Sequence, residues 1–178
     1  MSREIVIDLE TMGTAPGSLI VSIGAVACRP GEEEWPPECE FYRRIDWTSG
    51  EELGLKLEAE TVKWWLEQSD AAREEITWKA GHILAVLTEF GCWLRQMAPG
   101  GVWGNGATFD LVLLRCAYAA AGYEPPWHWR DERCYRTLRK VLGRPRVEVE
   151  GLKHHALEDA RAEARDLCEM LKILECDC

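Results

Sequence analysis

The chain of 178 residues has no apolar run approaching the 18 or more that a membrane span requires. Its opening, Met1-Ser2-Arg3-Glu4, lacks the apolar core of a secretory signal. A cytoplasmic protein with no membrane partner is expected. The cysteines, Cys28, Cys39, Cys92, Cys116, Cys134, Cys168, Cys176 and Cys178, include no CxxC pair and no zinc-finger spacing with histidine. They read as free thiols, several of them buried, with Cys176-Asp177-Cys178 as a frayed end. Repeats, linkers and low-complexity tracts are also missing, so a single domain over 1–178 is expected. A domain of this size buries roughly 70% of the surface its unfolded chain exposes and needs no disulfide or zinc to fold. Positive charge is not in excess either, with 21 Lys and Arg against 31 Asp and Glu and a net charge of −10. That balance argues against a uniformly basic coat for nucleic acid and leaves room for a local basic groove.

The residues that are present alternate between two periods. Ile5 to Leu9 and Leu19 to Ala27 are β-branched runs separated by a turn over Gly13 to Gly17. The loop Arg29 to Pro37 leads to a third strand near Glu40 to Ile45, completing a meander. Helical periodicity begins near Ala59, with Val62, Trp65 and Leu66 on one stripe, and returns from Ser69 and from Gly81 to Met97. Pro99-Gly100-Gly101 breaks it, Val102-Trp103-Gly104 reads as a short strand, and a helix from Phe109 to Ala121 ends at Gly122. A further helix follows Asp131, and a last one runs from Ala156 to Leu174 with Leu157, Ala160, Ala164, Leu167 and Leu171 inward. This order predicts an α/β fold with a mixed five- to six-stranded sheet, an antiparallel opening and helices on both faces.

Two carboxylates, Asp8 and Glu10, sit at the end of the first strand on the same face, because strand side chains alternate. Taken alone, they are as readily two solvated acids. Asp110 falls in the first turn of the helix after Gly104-Asn105-Gly106, where the helix dipole favours any acid. Asp159 lies in His154-His155-Ala156-Leu157-Glu158-Asp159-Ala160, and His154 can share a site with it only by reaching in from the preceding loop. A solvated His-His pair is the alternative there.

The order of these motifs, D-x-E on a strand, then G-N-G-x-x-F-D, then H-x-x-x-x-D-A, resembles the DEDDh family of 3′→5′ exonucleases. It is similar to the branch of phage DexA-type enzymes and mycobacterial exoribonucleases in Asp8 to Thr14 with Pro16-Gly17, in Thr61 to Gln68, and in Trp103 to Gly106. The resemblance implies an RNase H-like fold, two divalent metals and release of mononucleotides from a free 3′ end. It implies Asp8 bridging both metals, Glu10 and Asp159 on the first, and Asp110 acting partly through metal-bound water. The chemistry is consistent with that assignment. Four gathered carboxylates repel and raise one another's pKa unless cations neutralise them, and an all-carboxylate set suits Mg²⁺ or Mn²⁺. His154 has the right unperturbed range for a general base.

Candidate substrate contacts are Leu9, Thr11 and Met12 beside the acidic pair, Asn105 in the glycine-framed turn, Trp64, and Arg136. The enzymes resembled use the Leu9 to Met12 stretch for backbone hydrogen bonds and an apolar wedge; strand-end packing is the alternative. Trp64 and Trp65 are about 100° apart on a helix, so one is expected to stay exposed. Arg133 to Arg146 holds six cations and no acid, with Arg133, Arg136, Arg139 and Lys140 able to share a helix face. This segment is either a solvated face or a phosphate track. The acidic loop around Glu32 to Glu40 reads as solvated. The expected activity is hydrolysis of single-stranded nucleic acid from its 3′ end with two Mg²⁺ or Mn²⁺ ions, DNA being favoured over RNA. RNA trimming and a non-catalytic nucleic-acid-binding module are the alternatives, and the chain is either a monomer or a homodimer.

Overall fold

A computed structural model describes residues 2–32, 34–77, 80–149 and 154–176. Five strands, β1 (Arg3–Thr11), β2 (Ile20–Cys28), β3 (Glu40–Arg44), β4 (Pro99–Gly104) and β5 (Glu132–Cys134), form one sheet in the order β3-β2-β1-β4-β5. The opening meander is antiparallel, whereas β4 runs parallel to both β1 and β5. Seven α-helices accompany the sheet among the described residues: α1 (Trp47–Glu52), α2 (Ala59–Leu66), α3 (Asp70–Thr77), α4 (Ile83–Met97), α5 (Asp110–Ala120), α6 (Tyr135–Val141) and α7 (Ala156–Cys176). The expected mixed sheet with helices on both sides is what forms.

Strand alternation assigns the two faces. Ile5, Ile7 and Leu9 of β1 join Ile23, Ala25 and Ala27 of β2 in a core with Leu87, Phe90 and Leu94 of α4 and Leu113, Leu114 and Ala117 of α5. On the opposite face Val6 and Val26 pack against Ala160, Ala164 and Leu167 of α7 and Tyr135 of α6. Asp8 and Glu10 share the face of Val6, which places the acidic pair under α7. Ala156, Ala160 and Ala164 are fully buried along that helix, so its backbone lies close to the sheet.

The closest approach is at Gly24, which pairs with Asp8 across the β1–β2 ladder. A Cβ at this position would lie 2.2 Å from the carbonyl carbon of Ala156 and 2.3 Å from the amide nitrogen of Leu157. Only a residue without a side chain allows the first turn of α7 to sit there.

Several elements depart from the sequence expectation. Pro99-Gly100-Gly101 does end α4, through left-handed Ala98 (φ 48°), yet these residues are also the first half of β4. Proline is tolerated as a first strand residue because its missing N–H costs no interior ladder bond. Leu66 is exposed, while Trp65 takes the inward place on α2. Glu40 is not a solvated loop acid: it accepts from Trp35 Nε1 at 3.0 Å and pairs with Arg161 of α7 at 2.5 Å. Helix α1 and strand β5 have too few residues to show a period. Cys28, Cys39 and Cys168 are buried and, with Cys92, Cys116 and Cys134, are free thiols among the described residues. Asp177, Cys178 and the Cys176 side chain lie outside the described residues. No helix among the described residues is long and apolar enough to cross a membrane.

Gly24→Ala is expected to lower unfolding free energy by about 1–3 kcal/mol through overpacking against the α7 backbone. Urea denaturation followed by circular dichroism would measure it, and an unchanged midpoint would mean that the contact yields without cost.

Candidate active site

The C-terminal ends of parallel β1 and β4 and the first turns of α5 and α7 meet at one place, the usual position for a site in an open α/β sheet. Asp8, Glu10 and Asp159 each bring a carboxylate oxygen there, and the three oxygens lie within 4.8 Å of one another. Asp110 is behind them, 1% exposed, with its Oδ2 accepting from the Asn105 amide at 2.9 Å. Gly104 makes that position possible, since a Cβ on it would stand 3.1 Å from both Cβ and Oδ2 of Asp110. All four acids expected from the sequence therefore converge, three as a tight group and Asp110 beside it.

Burial and mutual repulsion dominate the electrostatics. Asp8 is held well above the ordinary carboxylate range by desolvation first and then by Asp110 and Glu10. Burial, with Asp159 and Asp110 adding to it, pushes Glu10 up to about 8. Asp110 rises to about 6 by burial, opposed by the amides of Asn105, Asp110 itself and Leu9. Asp159 is raised by burial and partly relieved by His154, and its Oδ2 is buried without a hydrogen-bond partner. An acid group so compressed and under-satisfied fits hard divalent cations bound through oxygen.

The four histidines divide by role. His82 Nδ1 accepts from the Leu84 amide, His128 Nδ1 from Arg130 and His155 Nδ1 from Glu158, so three of them cap a helix or turn. His155 is therefore not part of a solvated pair; it also stacks on Tyr42 and faces Glu75, which Arg44 and Tyr42 hold. His154 makes no such bond among the described residues. It occupies the left-handed region with φ 63°, which turns its ring into the cavity from the loop before α7. The indole of Trp64 stands edge-on to it at 4.8 Å and that of Trp65 at 6.0 Å. Trp64 is 40% exposed and Trp65 2%, which is the division expected of the adjacent pair.

A cavity of about 360 Å³ opens over the acids. Asp8, Glu10, His154 and Asp159 line it together with Arg136, Arg139 and Arg146. Of the basic segment, these three face the site, whereas Arg144 pairs with Asp166 and Glu169 of α7. Arg136 also donates to the carbonyl and the side chain of Asn105. Leu9, Thr11 and Met12 differ from the wedge expected of them: their side chains are buried, Leu9 and Met12 in the core beneath the sheet. The Thr11 carbonyl accepts from Trp65 Nε1 at 3.0 Å, and Glu58 clasps the following loop through the amides of Thr14 and Ala15. Strand-end packing describes that stretch.

Sequence reasoning missed Glu163. It is buried one helical turn beyond Asp159, accepts from Asn105 Nδ2, and lines the same cavity. The spacing Asp159 to Glu163, i to i+4 on α7, was its available signal.

The fold is RNase H-like and is shared with known nucleases. The nuclease domain of 3′hExo, a DEDDh family member bound to rAMP, superposes with a TM-score of 0.65 at 14% identity, covering 97% of this chain and 92% of that one. Cell-death related nuclease 4 (CRN-4) gives 0.59 at 13% identity over 97% of this chain and 64% of that one. Pop2p of S. pombe, in a form with Mg²⁺ and Mn²⁺ bound, gives 0.59 at 13% identity over 94% and 82%. No curated protein matches the sequence. A family model matches residues 3–171, and the chain belongs to the Rv2179c-like 3′-5′ exoribonuclease domain family.

The raised carboxyls have a consequence for stability. Glu10 and Asp110, with folded pKa values of about 8 and about 6, retain protons that the unfolded chain has lost above about pH 4.3. Without divalent cation, melting temperature is thus expected to fall as pH rises from about 4 to about 8, and Mn²⁺ is expected to raise it more at pH 8 than at pH 5. Thermal melts in EDTA and in Mn²⁺ across that range would check both; a cation effect independent of pH would contradict the electrostatic account.

Proposed function

We propose that the chain, as one domain, hydrolyses phosphodiester bonds from the free 3′ end of single-stranded RNA and releases nucleoside 5′-monophosphates. The observation that carries the reading is the convergence of Asp8, Glu10, Asp110, Asp159 and His154 at a cavity that three arginines also line. RNA in place of the DNA favoured from sequence rests on the family description, and the rAMP bound to the related 3′hExo domain supports it.

Asp8, Glu10 and Asp159 would hold divalent cation, with Asp110 at the edge of the group, and Mg²⁺ or Mn²⁺ as a pair would supply charge to polarise phosphate and water. The Pop2p form with both ions bound supports that choice. His154 accepts a proton from the attacking water at a ring nitrogen, having no capping duty to occupy it. The edge of Trp64 limits how that ring can rotate. Arg146 and Arg139 meet the entering phosphates, and Arg136 acts both there and by steadying Asn105.

Digestion of 5′-labelled RNA and DNA of matched sequence with Mg²⁺ or Mn²⁺ should give a ladder shortening from the 3′ end, faster for RNA. Asp8→Asn and Asp159→Asn should leave no activity while folding normally, and near-normal rates in either would defeat the assignment. His154→Ala is expected to lose on the order of 10² or more in rate near neutral pH, whereas His155→Ala should show chiefly a lowered melting temperature. For Arg146→Gln, the slope of log binding constant against log salt should shrink by about 0.7, the share of one single-strand phosphate; an unchanged slope would remove Arg146 from the substrate path.

A further inference from the structure

Glu163 is 7% exposed, yet only one of its oxygens is used by the protein. Oε1 accepts from Asn105 Nδ2, while Oε2 is buried with no hydrogen-bond partner. Of the nearby donors, Arg136 is engaged by Asn105 and the Tyr135 hydroxyl by Asp166 at 2.7 Å, while the buried Nε of Arg139 bonds neither Glu163 nor any other group among the described residues. Its charged neighbours are Asp8, Asp110 and Asp159, all of the same sign, with Arg136 as the opposing charge. A buried carboxylate oxygen in such surroundings is costly unless a proton or a cation answers it. It also lines the cavity over the acidic group, though outside the three acids whose oxygens lie within 4.8 Å of one another. That placement suits contact through water and not direct ligation.

We propose that Glu163 is a fifth acid of the cation site, its free Oε2 accepting a hydrogen bond from the hydration shell of a bound divalent cation while its Oε1 holds Asn105. The inference rests on the reading of the cavity as a divalent-cation site. Through Asn105, whose backbone amide donates to Asp110 and whose side-chain oxygen accepts from Arg136, Glu163 is connected to both the acidic group and the arginines. The competing role is purely structural, with Glu163 present only to orient Asn105. Glu163→Gln separates the two, because the amide keeps an acceptor for Asn105 Nδ2 and loses the charge.

The test is Mn²⁺ binding by titration calorimetry on the full chain, with Asp159→Asn as reference and melts in EDTA to establish folding. Glu163→Gln is expected to fold at least as stably as the wild type without metal and to bind Mn²⁺ about 10-fold more weakly or worse. Glu163→Asp, which keeps the charge with a shorter reach, should bind more tightly than Glu163→Gln, and the reverse order would overturn the proposal. Unchanged Mn²⁺ affinity in folded Glu163→Gln would show that Glu163 serves Asn105 alone, leaving the cation site itself intact. A wild-type chain that binds Mn²⁺ no better than Asp159→Asn would overturn the cation reading and the role of Glu163 with it.

Discussion

The first turn of α7 rests on bare backbone at Gly24, and most of the molecule's chemistry depends on that contact. Gly24 is the ladder partner of Asp8, so the glycine that admits the helix also sets the height of the helix above the acid. From there Asp159 reaches Asp8 and Glu10, the loop before the helix delivers His154, and Glu163 follows one turn on. The stripe of Ala156, Ala160 and Ala164 continues the close approach, and Arg161 ties the helix to β3 through Glu40. Helix position is thus set by steric exclusion and secured by an ion pair at the edge.

Around this contact the fold gathers like charges that it does not neutralise. Backbone amides and Arg136 relieve Asp110, and His154 and Asn105 partly relieve Asp159 and Glu163, but Asp8 and Glu10 gain no such help against their burial. A polypeptide selected for stability alone has no reason to keep such a group, whereas a cation site needs unspent oxygen atoms already in place. The strained backbone of His154 belongs to the same economy of placement: its neighbour His155 anchors the helix end, which leaves His154 free to turn inward.

The parts of this arrangement that follow a period were legible in the sequence. Alternation placed Asp8 and Glu10 together, the glycine-framed turn located Asp110, and the alanine and leucine stripe of α7 marked the face that covers them. What escaped depends on tertiary contact. Glu163 looked like one of many helix acids until the sheet covered it. The H-x-x-x-x-D spacing singles out His154, but the capping bond of His155 and the left-handed backbone of His154 leave no trace in composition. Resemblance points Leu9, Thr11 and Met12 toward substrate with strand-end packing as the alternative, and the strand carries Leu9 to the apolar side while Trp65 occupies the Thr11 carbonyl. The basic segment divided unevenly because Arg144 found acids on α7 and its neighbours did not.

The route of the chain through the site has a kinetic meaning. Asp8 and Glu10 come from the first strand, Asp110 follows the fourth, and Asp159 arrives with the final helix. Contacts between such distant segments close late and slowly in folding, because loop entropy must be overcome before they contribute. No partial assembly of the sheet carries the complete set of acids, so an incompletely folded chain has no working centre. Hydrolytic power is in this way tied to the joining of the two ends of the chain on one sheet, and not to any single segment.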